Sequence, residues 1–149
     1  MKQIIFNIVL IFLLGLLTPS LICAQDAQLI VVGNNVSVPS EMDFKQLKSV
    51  LRGEKMRWND GKQVIIALMK SNTPVGKETC TRIYNMSPNE LNKYFLALVF
   101  QGRIKAPTFF TSPSELNAFV AETPGAIGVV DSTHDLTLKI ITIDGETKL

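Results

Sequence analysis

The chain has 149 residues, which is enough for one domain with a single hydrophobic core. Its 15 basic and 13 acidic side chains give a formal net charge of +2 at pH 7, so no overall field attracts nucleic acid or an anionic membrane surface. Its two cysteines and single histidine do not have the spacing of a zinc site.

The N-terminus has the layout of a secretory signal peptide. A positively charged start precedes an almost uniformly apolar run over residues 4–17, and this run of about 14 residues is shorter than the ~20 needed to span a bilayer. We therefore expect residues 1–24 to be a signal peptide, cleaved after Ala24, and residues 25–149 to form a single domain exported to the periplasm. A transmembrane anchor and a lipoprotein modified at Cys23 are the less favoured alternatives, the second because a bulky isoleucine precedes the cysteine.

The first half of the domain predicts two strands with a helix between them. Residues 29–32 form a short apolar run that ends at a Gly-Asn-Asn turn, as expected for a buried strand. A helix begins after Asp43, which can cap it in a capping box with Gln46. The continuous apolar run of residues 64–69 is rich in β-branched side chains and is typical of a strand buried on both faces.

The second half predicts three helices and two strands. A helix spans about residues 75–85, and two more begin at Ser87 and Ser112, where serine, proline and glutamate occupy the cap, first and third helical positions. Residues 126–130 predict a strand, and residues 136–143 predict a last strand that is exposed on one face. Strands interleaved with helices indicate an α/β layered domain with a central, mostly parallel sheet flanked by helices.

Several conspicuous residues are predicted to be structural. Trp58, the single tryptophan, is expected to anchor a turn against the core, and the aromatic pairs at residues 94–95 and 109–110 are expected to lie in the core. Removal of the signal peptide would leave Cys80 as the one cysteine, which we expect to be buried within a helix, with a disulfide-linked dimer as the alternative. His134 lies in a polar loop and is expected to be solvated.

Two separated segments resemble a family pattern. Residues 51–61 read L-R-G-E-K-M-R-W-N-D-G and residues 122–130 read E-T-P-G-A-I-G-V-V. Together they resemble the F-x-G-K-x-x-x-W-x-D-G … A-x-x-P-G-A-I-G-Y-V pattern of phosphate-type periplasmic substrate-binding proteins, which feed ABC importers. The resemblance covers residues 36–131. Full members have two lobes that close around an oxyanion, and this chain is much shorter than a full member. The resemblance therefore implies one lobe of a type II periplasmic binding protein.

The resemblance also implies a place for the ligand. In the family, a strand ends in a turn rich in Ser, Gly and Thr, and backbone N–H groups and hydroxyls at the start of the next helix hold the anion. The corresponding turn here is residues 70–77, where hydroxyls, a glycine that permits close backbone approach, and lysine ammonium groups are available. The predicted ligand-binding residues are Ser71, Thr73, Gly76 and Lys77, with Lys70 as a second source of charge.

This turn departs from the family pattern at Pro74, which has no N–H to donate. The alternative is that Thr73 caps a helix with Pro74 at its first position, and that nothing binds there.

The sequence therefore predicts an exported, non-enzymatic protein that binds phosphate or a similar small oxyanion for an ABC-type uptake system. Its expected partners are the ligand and either a membrane permease or a second copy of itself, and no cofactor, metal or nucleic acid is predicted. The alternative is a non-catalytic interaction protein, derived from a binding-protein lobe that has lost its ligand. An enzyme is disfavoured because the sequence shows no nucleophile–base arrangement, paired carboxylates or nucleotide-binding loop.

Overall fold

The computed structural model describes residues 27–131 and 138–149. The predicted signal peptide, His134 and the start of the predicted last strand lie outside these residues. Within them, the strands are β1 (Ile30–Gly33), β2 (Glu41–Met42), β3 (Ile65–Met69), β4 (Thr108–Phe110), β5 (Ala126–Val130) and β6 (Lys139–Ile143). The helices are α1 (Phe44–Leu51), α2 (Pro74–Glu78), which continues into a π-helical segment (Thr79–Tyr84), α3 (Pro88–Phe100) and α4 (Pro113–Glu122).

The described strands form one sheet in the spatial order β2-β6-β1-β5-β3-β4. β3 runs parallel to β4 and β5, and β2 runs parallel to β6, whereas β1 is antiparallel to both of its neighbours. Five of the six described strands therefore point the same way. The predicted central, mostly parallel sheet is confirmed, and the carboxyl ends of β3, β4 and β5 meet at one edge.

Helices cover both faces of this sheet. On β4, the ring of Phe110 lies 5.2 Å from that of Phe119 in α4, while the ring of the preceding residue, Phe109, lies 6.3 Å from that of Phe95 in α3. Because successive strand residues point to opposite faces, α4 and α3 lie on opposite sides of the sheet. All five residues of β5 are buried between these layers.

The π-helical segment belongs to the α3 side. Its last residue, Tyr84, is fully buried, packs edge-on against Phe95, and donates a hydrogen bond from its hydroxyl to the Leu51 carbonyl at 2.9 Å. Cys80 is buried in the same segment, as predicted, and its burial raises the pKa of the thiol. Among the described residues, no helix has the length and apolar character needed to cross a bilayer.

The two segments that carry the family resemblance meet in space. Trp58 is buried, and its indole N–H donates to the carbonyl oxygen of Gly125 at 2.8 Å. Gly125 has a positive φ of 82°, and a side chain there would overlap the carbonyl of Gln63. The tryptophan and the Pro-Gly turn are therefore two halves of one packing unit, and the predicted structural role of Trp58 is confirmed.

Two expectations about the helices and the edge of the sheet need correction. The predicted helix over residues 75–85 is present from Pro74 to Tyr84, but it becomes π-helical at Thr79. Phe109 does not belong to the core, because β4 is the edge strand of the described sheet and leaves this side chain 38% exposed.

Candidate anion-binding site

The predicted binding turn follows β3 at the carboxyl edge of the sheet, where open α/β folds bind their ligands. The backbone N–H of Lys70 donates to the carbonyl of Phe110 at 2.8 Å, so the turn begins beside the end of β4. The chain then enters α2 at Pro74. The turn therefore lies at the carboxyl end of β3, next to the carboxyl end of the neighbouring parallel strand β4.

Within the turn, Thr73 is the N-cap of α2. Its hydroxyl donates to the Lys70 carbonyl at 2.7 Å and accepts from the Gly76 N–H at 3.0 Å. The Thr73 carbonyl in turn accepts the Lys77 N–H at 3.0 Å. The hydroxyl proton of Thr73 and the N–H groups of Gly76 and Lys77 are therefore engaged within the protein.

Gly76 permits a close approach of two backbone segments of this chain. It is buried in the first turn of α2, and a Cβ atom there would overlap the Lys70 carbonyl and lie 2.9 Å from the Met69 carbonyl oxygen. The missing side chain lets α2 sit directly on the end of β3. The glycine thus positions the turn, and its close contact is with the protein's own backbone.

An open depression with a volume of about 300 Å³ lies beside the turn. It is lined by Lys70, Ser71, Asn72, Asn92 and Phe109. The lining offers an ammonium, a hydroxyl and two carboxamide groups, all of which can donate hydrogen bonds, and it contains no carboxylate that would repel an anion. Of the four predicted ligand-binding residues, Ser71 lines this depression, whereas Thr73, Gly76 and Lys77 do not.

Asn92 and Phe109 are the lining residues that sequence reasoning missed. Asn92 lies on the exposed side of α3 and Phe109 on the edge strand, so neither is near the turn along the chain. Their position depends on how α3 packs beside β4, and no local pattern in the sequence predicts that packing.

The charges around the depression favour an anion. The ion pairs found among the described residues join Arg52 to Glu54 and Lys62 to Asp60, and neither pair includes a lysine of the turn. No group of three or more His, Cys, Asp or Glu side chains suited to a metal ion occurs in the described part of the chain.

Comparison with solved structures identifies the fold. An ABC-type phosphate transport receptor from Vibrio cholerae matches with a TM-score of 0.62 and 13% identity, over 78% of this chain and 46% of that one. A putative phosphate ABC transporter substrate-binding protein from Clostridium perfringens, solved with bound phosphate, matches with a TM-score of 0.61 and 10% identity, over 80% of this chain and 46% of that one. PstS from Borrelia burgdorferi matches with a TM-score of 0.60 and 15% identity, over 80% of this chain and 48% of that one.

This chain has the fold of one lobe of a phosphate-type substrate-binding protein. The resemblance predicted from the sequence is therefore confirmed for the fold. The chain spans about half the length of these structures. No protein-family model matches it, and no curated protein matches it in sequence.

Proposed function

We propose that this chain is an exported, non-enzymatic binding protein that holds phosphate or a similar small oxyanion for an ABC-type uptake system. The observation that carries the proposal is the depression at the carboxyl edge of the sheet, which is lined by hydrogen-bond donors and no carboxylate. It occurs in a fold shared with a phosphate ABC transporter binding protein solved with bound phosphate.

The depression would hold the anion mainly through side chains. Lys70 supplies a positive charge, and Ser71, Asn72 and Asn92 supply neutral donors. Hydrogen bonds to a charged group contribute about 1.5–3 kcal/mol each when they are shielded from water, and less in an open site. We therefore expect weak binding by this lobe alone, with a membrane permease or a second copy of the chain covering the exposed side of the ligand.

A phosphate titration tests this proposal. The chain, expressed with its N-terminal segment so that any processing takes place, is titrated calorimetrically with phosphate and with sulfate at constant ionic strength, against chloride as the reference anion. We expect saturable binding that weakens in Ser71→Ala and in Lys70→Met, because each variant removes a donor from the depression.

Lys77→Met is the matched control. Lys77 is an exposed lysine of the same turn but does not line the depression, so its loss should leave the affinity nearly unchanged. Equal weakening by both lysine variants would extend the site over the whole turn of residues 70–77, which is the site expected from the sequence. No saturable heat with either anion would contradict the proposed function.

The second candidate function is that of an interaction protein that has lost ligand binding. The specific observation in its favour is that the donors of the turn are already used. The Gly76 N–H donates to the capping hydroxyl of Thr73, that hydroxyl donates its own proton to the Lys70 carbonyl, and Pro74 has no N–H. This candidate predicts no anion binding, together with a surface that another protein covers.

A further inference from the structure

An apolar groove runs beside the anion depression. It has a volume of about 210 Å³ and lies between α3 and the segment that enters β4. Its lining is Asn92, Phe95, Leu96, Val99, Ala106, Pro107 and Phe109. Asn92 and Phe109 also line the anion depression, so the two hollows adjoin each other.

Large apolar side chains stand exposed along this groove. Leu96 lines the groove and is 56% exposed. Phe100 is 83% exposed, and because it is four residues further along it lies on the same side of α3, next to the groove lining. Together with Phe109, they form an apolar surface of the kind that marks an interaction site in a soluble domain.

The groove also borders an open strand edge. β4 is the last strand of the described sheet on this side and pairs with β3 alone. The Phe110 carbonyl accepts a hydrogen bond from the residue that follows β3, so the alternation of the ladder directs the N–H and C=O of Phe109 away from β3. An extended segment laid along β4 could pair with these groups while its alternate side chains enter the groove.

The charges near the groove favour a negatively charged partner. The two adjoining hollows contain one lysine, Lys70, and no acidic residue. The acidic residue of α3, Glu90, accepts the Ser87 N–H at 2.7 Å at the start of the helix. The surroundings therefore complement a partner that carries negative charge.

We propose that this groove binds an extended segment of another protein that has apolar side chains at alternate positions and carboxylates at one end. The apolar side chains fill the groove, the backbone pairs with Phe109, and the carboxylates face Lys70. The proposal goes beyond anion binding, but it rests on the proposed function in one respect, since the same depression receives a negatively charged group. A second copy of this chain fits less well, because the same surface of that copy contains Lys70 and no carboxylate to face the lysine.

Fluorescence anisotropy with labelled peptides tests the docking site. The first probe is Glu-Glu-Val-Thr-Val-Thr-Val, and its charge-reversed partner begins with Lys-Lys instead. We expect saturable binding of the acidic probe and at least roughly tenfold weaker binding of the basic one, because like charges oppose docking. Leu96→Glu should weaken the acidic probe by a similar factor. Met56→Glu is the matched control, since Met56 is 50% exposed but lies outside the groove.

Three results would overturn the docking site: equal affinity for the two probes, equal effects of the two glutamate variants, or no saturable binding of the acidic probe. A concentration-dependent dimer in sedimentation velocity that disappears in Leu96→Glu would replace it with self-association. The phosphate titration is run in parallel. Phosphate binding without peptide binding refutes the docking site alone, and peptide binding without phosphate binding refutes the proposed function alone.

Discussion

Replacing Gly76 with alanine should destabilise the protein through the backbone of the candidate site. A methyl group at this position would overlap the Lys70 carbonyl, so that carbonyl must move by roughly an ångström to restore a normal contact distance. The same carbonyl accepts the Thr73 N–H at 2.9 Å and the Thr73 hydroxyl at 2.7 Å. A displacement of that size weakens or breaks both hydrogen bonds.

The expected cost follows from these contacts. Two hydrogen bonds at about 0.5–1.5 kcal/mol each amount to roughly 1–3 kcal/mol, and the lower backbone entropy of alanine in the unfolded chain returns about 0.4–1 kcal/mol. We expect Gly76→Ala to lower the free energy of unfolding by about 1–2 kcal/mol. Urea unfolding followed by circular dichroism measures this as a lower midpoint with an unchanged slope.

Gly102→Ala separates the steric effect from the conformational one. Gly102 has a positive φ of 66° but open space where a side chain would stand, so alanine there costs about 1 kcal/mol through backbone strain alone. It should leave phosphate affinity unchanged, whereas Gly76→Ala should reduce it by shifting Lys70 and Ser71. A Gly76→Ala protein as stable as the parent would refute the argument that α2 needs this close approach.

Three further changes test the packing and the helix starts. Trp58→Phe removes the indole hydrogen bond to Gly125 and should cost about 2 kcal/mol, from the lost bond and the lost buried area; thermal unfolding would show the loss, and an unchanged melting temperature would contradict it. Tyr84→Phe should reduce the loss of stability at high pH, because burial raises the pKa of Tyr84 well above its usual value of 10.0. Above pH 10 the unfolded state releases the phenol proton while the folded state keeps it, so the stability of the parent protein falls as the pH rises. A stability profile identical to that of the parent between pH 9 and 11 would argue against it. Ser87→Ala should cost about 1 kcal/mol because Ser87 caps α3, whereas Ser112→Ala should cost less, since the Ser112 side chain makes no capping bond to the described residues; equal costs in urea unfolding would count against this distinction.

Local signals in the sequence were sufficient for most of the elements. The capping boxes at Asp43 and Ser87 have both of their hydrogen bonds in the structure, because each needs only residues within one helical turn. The apolar runs at residues 64–69 and 126–130 became the adjacent strands β3 and β5 in the middle of the sheet. A continuous run of β-branched residues needs burial on both faces, and the centre of a sheet provides it.

Strand direction and edge position were not available from the sequence. β1 is as buried as its neighbour β5, yet it runs antiparallel to both β5 and β6, and nothing in four consecutive residues encodes that direction. β2 is two residues long and carries no periodic signal. The exposure of Phe109 likewise depends on where β4 ends up in the sheet.

The candidate site was predictable in part for the same reason. The turn after β3 was found because it corresponds to a family turn, and its threonine, proline and glycine act locally as a helix start. Ser71 lines the depression, where its hydroxyl can donate a hydrogen bond to an anion. Asn92 comes from a helix that packs beside the turn, and only the tertiary structure brings it there.

Two-dimensional amide NMR of the isotope-labelled chain during a phosphate titration tests the central claim most directly. If the depression binds phosphate, the backbone amide signals of Ser71 and Asn72 and the side-chain amide of Asn92 should shift together and saturate, while chloride at the same ionic strength leaves them in place. Shifts confined to another surface, such as the loop after α3 that contains Arg103 and Lys105, or no saturable shift at all, would contradict the account.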